Sequence, residues 1–583
     1  MTNSPAASPA ATMTGGQAMI EVFRQQGLRT VFCLAGAAHA PLLRDLEQTD
    51  FHIVPSRHEN ATVAGADGFA RVTGLPGVAM IAGHQGLPNA LGGIRTAQLA
   101  CSPVVLLASV NEGSSESMSE ETNDGLDMVK PFVKWARTVT DVNRLEEFLN
   151  AAFHQATSGR PGVAVLGIPT HIQGQPLKDG AAVRSRKLRP IPPQPAAEGI
   201  AALAEAIGKA ERPLVLAGAG AALSGAGEAL RTLSHEFGLP VFGHALGRGL
   251  VAEDMDHGYP WALSQVAAKH ADLVIAVGIR LQQRIGFGMA PRFAESAVFA
   301  QIDIDGGEIG RTRTVEIPIQ GDARLGVEML VEALRAGGRQ PFARAWVGKA
   351  LAERLARLDE LGRDPGAPVH PLAIARTLMD QLPPETIFVA DGADVYNWMS
   401  SLMRMRSERC YIDHYPLGSM GIGTPLAVGA AAGARQQAED TGTPPRPVVL
   451  VTGDGSFGFY PSEFNAAVVD GLPLTCVISN DGNWGTERNA LLTRLGTTVN
   501  CVLGQLDYHI VAQGFGADGV KVESLAQLAP AIAGALASGK ATVVNVITAT
   551  DAGEARKQDP RLQMVTFEDL KSSLDAHHVM DLR

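Results

Sequence analysis

The chain has 583 residues, a formal net charge of −11, 45% hydrophobic residues and 19% charged residues. This composition supports several folded domains and excludes wholesale disorder, and an acidic chain without a basic block argues against a nucleic-acid partner. Five scattered cysteines without a CxxC motif indicate a reducing cytoplasm rather than a disulfide framework or a zinc site. No apolar run reaches the roughly 18 residues of a membrane span, so we expect a soluble, cytoplasmic protein without a membrane partner.

Residues 1–13 are small, polar and uncharged, and they lack the charged start and apolar centre of a signal peptide. We expect a flexible leader there. The first α/β unit, 14–187, opens with the amphipathic helix GQAMIEVFRQQGL and contains the short apolar runs TVFCLAG, GVAMIAG, SPVVLLAS and GVAVLGIP. Because runs of strand length alternate with helices, the pattern predicts a parallel sheet that is covered on both faces.

Two further units repeat this pattern. A proline-rich linker, LRPIPPQPAAEG, leads into the second unit at 196–336, and a charged helical connector at 337–367 leads into the third at 368–550. The last residues, 551–583, are polar and charged, and we interpret them as a surface arm or a lid. The sequence therefore predicts an α/β fold of three doubly wound parallel-sheet domains.

Two acidic turns follow successive strands of the third unit. VVLVTGDG carries Asp454 as its second-to-last residue. PLTCVISNDG carries Asp481 at the same place, 27 residues later (481 − 454). Loops at the carboxyl ends of parallel strands form the ligand site, and glycine turns with free N–H groups suit phosphate. An acid there would repel phosphate unless a cation lies between them, and carboxylates suit Mg²⁺ or Ca²⁺. One such turn alone is more often only a turn, but the second turn favours a metal site.

The paired turns belong to a wider resemblance. The spacing of the turns, the segment RHENATVAGADGFARVTGLPGVAM (57–80) and the segment HYPLGSMGIGTPLAVGAAAGA (414–434) resemble thiamine-diphosphate (ThDP) enzymes of the acetolactate synthase-like group. This group includes benzaldehyde lyase, 2-hydroxyacyl-CoA lyase and the acetolactate synthase large subunit. The resemblance covers about 14–550 and implies, in chain order, a pyrimidine-binding, a central and a diphosphate-binding domain.

The resemblance also implies a cofactor site for ThDP and Mg²⁺. The expected metal ligands are Asp454, Asp481 and the backbone carbonyl of Asn483. The expected cofactor-binding residues are Gly453, Gly455, Ser456, Asn483 and Asp394 near the diphosphate, and Gly418 and Met420 at the aminopyrimidine. Met420 stands where the family has the bulky apolar residue that supports the V-shaped cofactor, although a plain core methionine stays an alternative.

Glu59 matches the catalytic glutamate of the family. A carboxylate bonded to N1′ of the aminopyrimidine favours the imino tautomer that removes the C2 proton, which is acid–base catalysis relayed through the cofactor. Because the two cofactor-contacting domains come from different chains in this family, the resemblance implies a homodimer or homotetramer with its sites between chains.

The substrate side departs from the family pattern. His84 stands in His-Gln-Gly where many relatives read Gly-Pro-Gly, so an imidazole is expected near the cofactor. His39 lies in a loop where relatives often carry a pocket residue, and Glu121 lies near the position of their active-site glutamine. Glu487 follows the second acidic turn. We predict catalytic roles for these four side chains, with a structural or solvated role as the alternative for each.

The function implied is the making or breaking of a carbon–carbon bond next to a carbonyl group, through a C2 carbanion and an enamine intermediate. The expected substrate is a small carbonyl compound or 2-keto acid, with an acyl-CoA also open, and the enzyme is a lyase, carboligase or decarboxylase. Hydrolytic cleavage of a diketone and a non-catalytic scaffold subunit stay open as alternatives. A nicotinamide dehydrogenase is disfavoured, because the acidic turn replaces a GxGxxG fingerprint.

The central unit leaves a second question open. Its glycine-rich turn VLAGAGAALSG (215–225) is weak evidence for a nucleotide by itself. Relatives bind FAD, ADP or CoA in this domain, or nothing. If a nucleotide binds, Arg280 and Asp303 are the expected contacts.

Overall fold

The computed structural model describes residues 12–110, 125–178, 183, 191–363 and 366–562, without the side chains of residues 556 and 557. It contains three six-stranded sheets in which every strand pair is parallel, and helices lie between the strands. The predicted α/β fold with three parallel sheets is confirmed. The chain divides into two compact units, Met1–Ala70 with Leu75–Gln98 and Ser102–Pro190, and Arg71–Gly74 with Leu99–Cys101 and Ile191–Arg583.

The first sheet has the strand order β2-β1-β3-β4-β6-β5. Its strands are β1 Thr30–Cys33, β2 His52–Pro55, β3 Gly77–Ala82, β4 Val104–Val110, β5 Trp135–Thr138 and β6 Val163–Pro169. The helices of this part are α1 Gly15–Gln25, α2 Ala40–Glu47, α3 Glu59–Thr73, α4 Gly86–Ala100, α5 Gly125–Val129, α6 Leu145–Thr157 and α7 Thr170–Gly174. Helix α1 begins at a capping box in which Thr14 and Gln17 bond each other's backbone N–H groups.

The second sheet has the order β12-β11-β10-β7-β8-β9. Its strands are β7 Pro213–Ala217, β8 Val241–Gly243, β9 Gly258–Pro260, β10 Leu273–Val277, β11 Val298–Asp303 and β12 Ile317–Gln320. Its helices are α8 Ala197–Lys209, α9 Ala219–Ser224, α10 Gly227–Phe237, α11 Trp261–Ala267 and α12 Ala323–Ala336, and α13 Ala345–Gly362 forms the connector.

The third sheet has the order β14-β13-β15-β16-β18-β17. Its strands are β13 Ile387–Ala390, β14 Tyr411–Asp413, β15 Val448–Gly453, β16 Leu474–Asn480, β17 Asp518–Val522 and β18 Ala541–Ile547. Its helices are α14 Pro371–Gln381, α15 Asp394–Leu402, α16 Gly423–Thr441, α17 Asp454–Phe457, α18 Glu463–Val469, α19 Gly485–Leu495, α20 Tyr508–Gly514, α21 Leu525–Ala537 and α22 Ala552–Gln558.

The burial of the central strands explains why parallel sheets could be predicted from the sequence. Every residue of β4, β6, β10, β16 and β18 is buried, which is the arrangement in which helices cover both faces of a sheet. Continuous apolar runs, rather than alternating ones, follow from this burial. No helix among the described residues is long and apolar enough to cross a membrane.

A buried ion pair links the second and third sheets. Arg248 and Glu253 lie in the second domain with fully buried side chains, and their Nη2 and Oε2 atoms are 2.7 Å apart. Nη2 of Arg248 also donates to the carbonyl of Met403 at 2.6 Å, and the N–H of Met405 donates to Oε2 of Glu253 at 2.8 Å. The pair therefore also bonds backbone groups that lead into the third sheet.

Candidate functional site

The site predicted from the acidic turns is a pocket at the carboxyl ends of the third sheet. Strands β13, β15, β16 and β18 lie side by side there. The pocket is lined by Pro371, Gly392, Ala393, Asp394, Val395, Met420, Gly453, Asp454, Gly455, Ser456, Ser479, Asp481, Asn483, Trp484, Gly485, Thr486, Glu487, Thr548 and Ala549. It collects residues from six separate chain segments, as expected for loops that follow parallel strands.

Asp454 and Asp481 face this pocket from neighbouring strands. Asp454 is the first residue of α17 and follows directly after β15, and Asp481 follows directly after β16. Asp454 is only 2% exposed. Burial raises the pKa of both carboxyl groups above the usual range, and the negative charge of Asp481 raises the pKa of Asp454 further. The two acids together therefore have an uncompensated charge when both are ionised.

A divalent cation fits this pair. The Oδ2 atom of Asp454 is buried and has no hydrogen-bond partner among the described residues, so one carboxylate oxygen lacks a protein donor. Oδ1 of Asp481 accepts the N–H of Asn483 at 3.0 Å, which fixes the turn that follows. The described residues contain no group of three or more acidic, histidine or cysteine side chains around a single point. Two carboxylates leave the remaining positions of a hard cation to backbone and ligand oxygens.

The same pocket has room for a phosphate group beside its glycines. A Cβ added to Gly453 would have Cγ1 of Val395, at 4.0 Å, as its nearest neighbour, so the side-chain direction of this glycine faces open space. A Cβ added to Gly455 would lie 2.5 Å from the ring of Trp484, so the two acidic turns pack directly on each other. Helix α19 begins beside the same pocket, at Gly485, and a helix N-terminus favours an anion.

Hydroxyl groups and a third carboxylate complete the lining. Ser456 is buried, and the hydroxyls of Ser479 and Thr548 are 3.0 Å apart. Asp394 is the first residue of α15, and its Oδ2 accepts the indole N–H of Trp398 at 3.0 Å. Its charge contributes to the raised pKa of Asp481. The Ser479–Thr548 pair was missed from the sequence, because Thr548 is far away in the chain and lies in no motif.

The expected aminopyrimidine segment forms a fixed turn between β14 and α16. Gly418 has a positive φ of 80°, and its N–H donates to the carbonyl of His414 at 3.0 Å. Met420 is half-buried and borders the pocket. The start of α16 is held by Asp391, whose Oδ2 accepts the N–H of Gly423 at 2.8 Å. Asp391 was not singled out from the sequence, since a single acid after a strand has no distinctive spacing.

Glu59 is the first residue of α3 in the first unit and is 8% exposed. Its Oε2 accepts the side-chain amide of Asn89 at 3.2 Å and lies 4.0 Å from Nδ1 of His58. A Cβ added to Gly86 would lie 3.4 Å from its Cγ. The carboxylate is therefore oriented by α4, and Asn89 is a functional candidate that sequence reasoning missed.

The four predicted substrate-side residues have different surroundings. His84 is half-buried in the turn between β3 and α4, two residues before Gly86. His39 is 1% exposed; its Nε2 lies 2.9 Å from the carbonyl of Ile81, and its Nδ1 lies 3.3 Å from Nε2 of Gln173. These contacts favour a structural role for His39.

The other two substrate-side residues are Glu487 and Glu121. Glu487 is exposed in the first turn of α19 and borders the pocket. Glu121 lies outside the described residues.

The glycine-rich turn of the second domain packs against the protein itself. A Cβ on Gly218 or Gly220 would collide with the backbone of Gly278, at the end of the neighbouring strand. Arg280 donates to the carbonyl of Leu99, and Oδ1 of Asp303 accepts the N–H of Asp305 at 3.0 Å. Close backbone packing accounts for these glycines, so the turn itself gives no further support to a nucleotide site.

Comparison with known proteins places most of the chain in known domain families. Three domain families match: the N-terminal TPP binding domain of thiamine pyrophosphate enzymes at 13–129, their central domain at 200–330 and their C-terminal TPP binding domain at 391–546. The acetolactate synthase large subunit of Corynebacterium glutamicum is 30% identical over 542 residues, which cover 89% of this chain and 84% of that protein. The 2-hydroxyacyl-CoA lyase 2 of Bos taurus is 28% identical, with coverage of 88% and 85%.

Solved structures lead to the same group. A putative thiamin diphosphate-dependent enzyme from Mycobacterium smegmatis superposes with a TM-score of 0.75 at 25% identity, over 92% of this chain and 99% of that one. Benzoylformate decarboxylase from Polynucleobacter necessarius shares the fold, with a TM-score of 0.78 at 20% identity and the same coverage of 92% and 99%. The resemblance found in the sequence is confirmed, and the chain belongs to the thiamine pyrophosphate enzyme family.

Proposed function

We propose that the chain is a ThDP- and Mg²⁺-dependent enzyme that makes or breaks a carbon–carbon bond next to a carbonyl group. The observation that carries the proposal is a pair of carboxylates, the buried Asp454 and the half-buried Asp481, at the ends of two neighbouring strands in one pocket. Two such acids need a cation, and the oxygens of a diphosphate beside the glycine turn complete the ligand set that Mg²⁺ prefers.

ThDP, when bound, supplies a nucleophilic carbon that adds to a carbonyl carbon. The chain's own residues bind and orient it. Asp454, Asp481 and the backbone carbonyl of Asn483 hold Mg²⁺. The diphosphate contacts are Gly453, Gly455, Ser456, Asn483 and Asp394, and the aminopyrimidine contacts are Gly418 and Met420. Within this proposal the open space at Gly453 is where the diphosphate approaches the backbone.

Proton transfer is assigned to two side chains of the first unit. Glu59 shares a proton with N1′ of the aminopyrimidine, and Asn89 keeps the carboxylate in one orientation through the bond at 3.2 Å. His84 lies in the turn next to Glu59 and exchanges a proton with the substrate oxygen, a role that suits imidazole near neutral pH. Glu487 and Glu121 stay candidates for substrate contacts.

The relatives support the proposed reaction class. They are named acetolactate synthase and 2-hydroxyacyl-CoA lyase, and we propose a small carbonyl compound, a 2-keto acid or an acyl-CoA as the substrate of this chain. We assign the chain to the lyases, carboligases and 2-keto acid decarboxylases, in a homodimer or homotetramer. In that assembly Glu59 of one chain serves the cofactor that another chain holds.

The Asp454→Ala variant tests the metal and cofactor site. The wild-type chain should bind ThDP in calorimetric titrations only when Mg²⁺ is present. The variant should give no measurable binding, because one of two carboxylate ligands is lost. Its free energy of unfolding without cofactor should not fall, since a buried and uncompensated acid has been removed.

Asp518→Ala is the matched control, because Asp518 is an exposed acid on β17 of the same sheet. This variant should bind ThDP as the wild type does. Wild-type affinity in Asp454→Ala would refute the assignment of the site.

A substrate panel then separates the reaction classes. Release of CO₂ from 2-keto acids indicates a decarboxylase or synthase, and release of an aldehyde from a 2-hydroxyacyl-CoA indicates a lyase. Ring opening of a cyclic diketone without either product indicates hydrolysis.

A further inference from the structure

A guanidinium group of the second domain lies on an aromatic ring of the third. Arg284 belongs to the turn Gln283–Gly288, after β10. Its Cζ is 3.3 Å from the centre of the Tyr415 ring and 4.9 Å from the centre of the Tyr396 ring. Its Nε and Nη2 atoms are buried and have no hydrogen-bond partner among the described residues. The described neighbours of the guanidinium group are therefore aromatic rings. A planar cation stacks well on such rings.

One carboxylate fixes both rings. Oδ2 of Asp413 accepts the hydroxyl of Tyr396 at 3.0 Å, and Oδ1 accepts the backbone N–H of Tyr415 at 3.2 Å. Asp413 is the last residue of β14 and is buried. Arg284 thus stacks on two tyrosine residues that Asp413 holds at the end of β14.

Tyr415 in turn flanks the expected cofactor segment. Its ring atom Cε1 is the nearest atom, at 3.4 Å, to a Cβ added to Gly418, so the ring occupies that side of the glycine. The residue before it, His414, accepts the N–H of Gly418 at 3.0 Å, and the rings of His414 and Tyr415 are 4.2 Å apart. A contiguous set of contacts therefore runs from Arg284 through Tyr415 to Gly418.

We infer that Arg284 is a positioning residue for cofactor binding. It acts through Tyr415 and fixes the backbone of the turn from Gly418 to Met420, so that the central domain contributes to affinity for the aminopyrimidine without touching it. The inference rests on the proposed function, in which this turn holds the aminopyrimidine. Loss of this desolvated cation–π contact should therefore weaken the binding of ThDP by about tenfold or more.

The test compares ThDP affinity among variants at a fixed Mg²⁺ concentration, together with urea unfolding of the cofactor-free chain. Arg284→Met should raise the Kd of ThDP about tenfold, while Arg284→Lys should have an intermediate effect because a lysine keeps the charge but not the plane. Tyr415→Leu should match Arg284→Met, and Tyr415→Phe should stay near the wild type. The double variant Arg284→Met with Tyr415→Leu should bind no more weakly than the worse single variant.

Arg339 supplies the matched control. Its Cζ lies 4.1 Å from the centre of the Phe342 ring, and its Nη1 donates to the carbonyl of Gly208, so Arg339→Met removes the same kind of stack outside both the Arg284 turn and the turn from Gly418 to Met420. This variant should lower stability without changing the Kd of ThDP, which separates positioning from general destabilisation.

The outcomes are distinguishable from those of the Asp454 test. Unchanged Kd values in both Arg284→Met and Tyr415→Leu, or an equal rise in Arg339→Met, would overturn the inference while the cofactor site stands. If Arg284→Met does not fold, the contrast between Tyr415→Leu and Tyr415→Phe decides, and equal Kd values in those two overturn it. Absence of ThDP binding by the wild type would remove the proposed function and this inference together.

Discussion

At the scale of single residues, the chemistry depends on how one carboxylate is held. Glu59 begins a helix, is nearly buried and accepts a hydrogen bond from Asn89. A carboxylate with one oriented oxygen can present its other oxygen to a partner in a defined direction, which is the requirement for proton transfer over a short distance. The sequence segment identified Glu59, but Asn89 comes from α4 and could be assigned only once the two helices were placed together.

The Glu59→Gln variant should bind ThDP nearly as tightly as the wild type, since the amide keeps the size of the side chain and one hydrogen bond. Its rate of proton exchange at C2 of bound ThDP should fall by about 10²- to 10⁴-fold, because the amide does not take part in acid–base exchange. Proton NMR of the exchange on the protein measures this rate. An unchanged rate would remove the proton-transfer role of Glu59.

His39 yields a prediction about stability. Burial lowers the pKa of His39 below that of an exposed imidazole. As the pH falls through the ordinary imidazole range, the unfolded chain takes up a proton here that the folded chain does not, so the free energy of unfolding decreases. His39→Gln should lose less stability than the wild type between about pH 7.5 and about pH 5.5. Urea unfolding at both pH values tests this, and equal losses in the two proteins would contradict it.

At the scale of elements, the pocket is built by two turns that pack on each other. The turn at β15 and the turn at β16 meet where the ring of Trp484 lies against Gly455. The backbone N–H of Trp484 donates to the carbonyl of Cys501 at 2.8 Å, and its ring lies edge-on to the ring of Phe459 with centres 6.1 Å apart, so both the backbone and the indole have partners in this position. Position 455 therefore requires glycine because Trp484 leaves no room for a side chain, and the approach of a phosphate group would be a second reason.

Gly455→Ala should raise the Kd of ThDP by about tenfold or more, because overpacking of about 1–3 kcal/mol has to be relieved by movement of Trp484 or of the turn that carries Asp454. Titration of both proteins with ThDP at saturating Mg²⁺ measures the effect. Gly458→Ala is the control, since its Cβ would find its nearest atom at an ordinary 3.4 Å. Equal affinities for Gly455→Ala and the wild type would show that Trp484 moves aside without affecting the cofactor site.

The sequence predicted these elements better than it predicted their contacts. Apolar runs that end in glycine located β15 and β16, because burial on both faces leaves a clear compositional pattern. The placement of Trp484 on Gly455, the hydroxyl pair of Ser479 and Thr548, and the cap that Asp391 gives to α16 left no such pattern. Each depends on side chains that are distant in the sequence and becomes visible only when strand order and helix placement are known.

At the scale of the whole molecule, the proposed assembly makes a sharp prediction. Glu59→Gln and Asp454→Ala chains should each be inactive. When the two are mixed and allowed to exchange subunits, some activity should return, because a hybrid dimer contains one site in which both residues are intact. The measurement is turnover on the substrate found in the panel, before and after exchange that is verified by mass spectrometry. No recovery after complete exchange would indicate that a site takes both residues from one chain.

The buried pair of Arg248 and Glu253 has a consequence for how the chain can be divided. Each charge has a hydrogen bond to a backbone group, of Met403 or Met405, that lies beyond the connector helix α13. A fragment that ends in the connector would keep the two side chains but lose these partners, and an incompletely bonded buried ion pair destabilises a protein by several kcal/mol. A truncated fragment of the second domain should thus be less stable than the same domain in the full chain. In the full chain, the second and third domains should unfold in a single cooperative thermal transition.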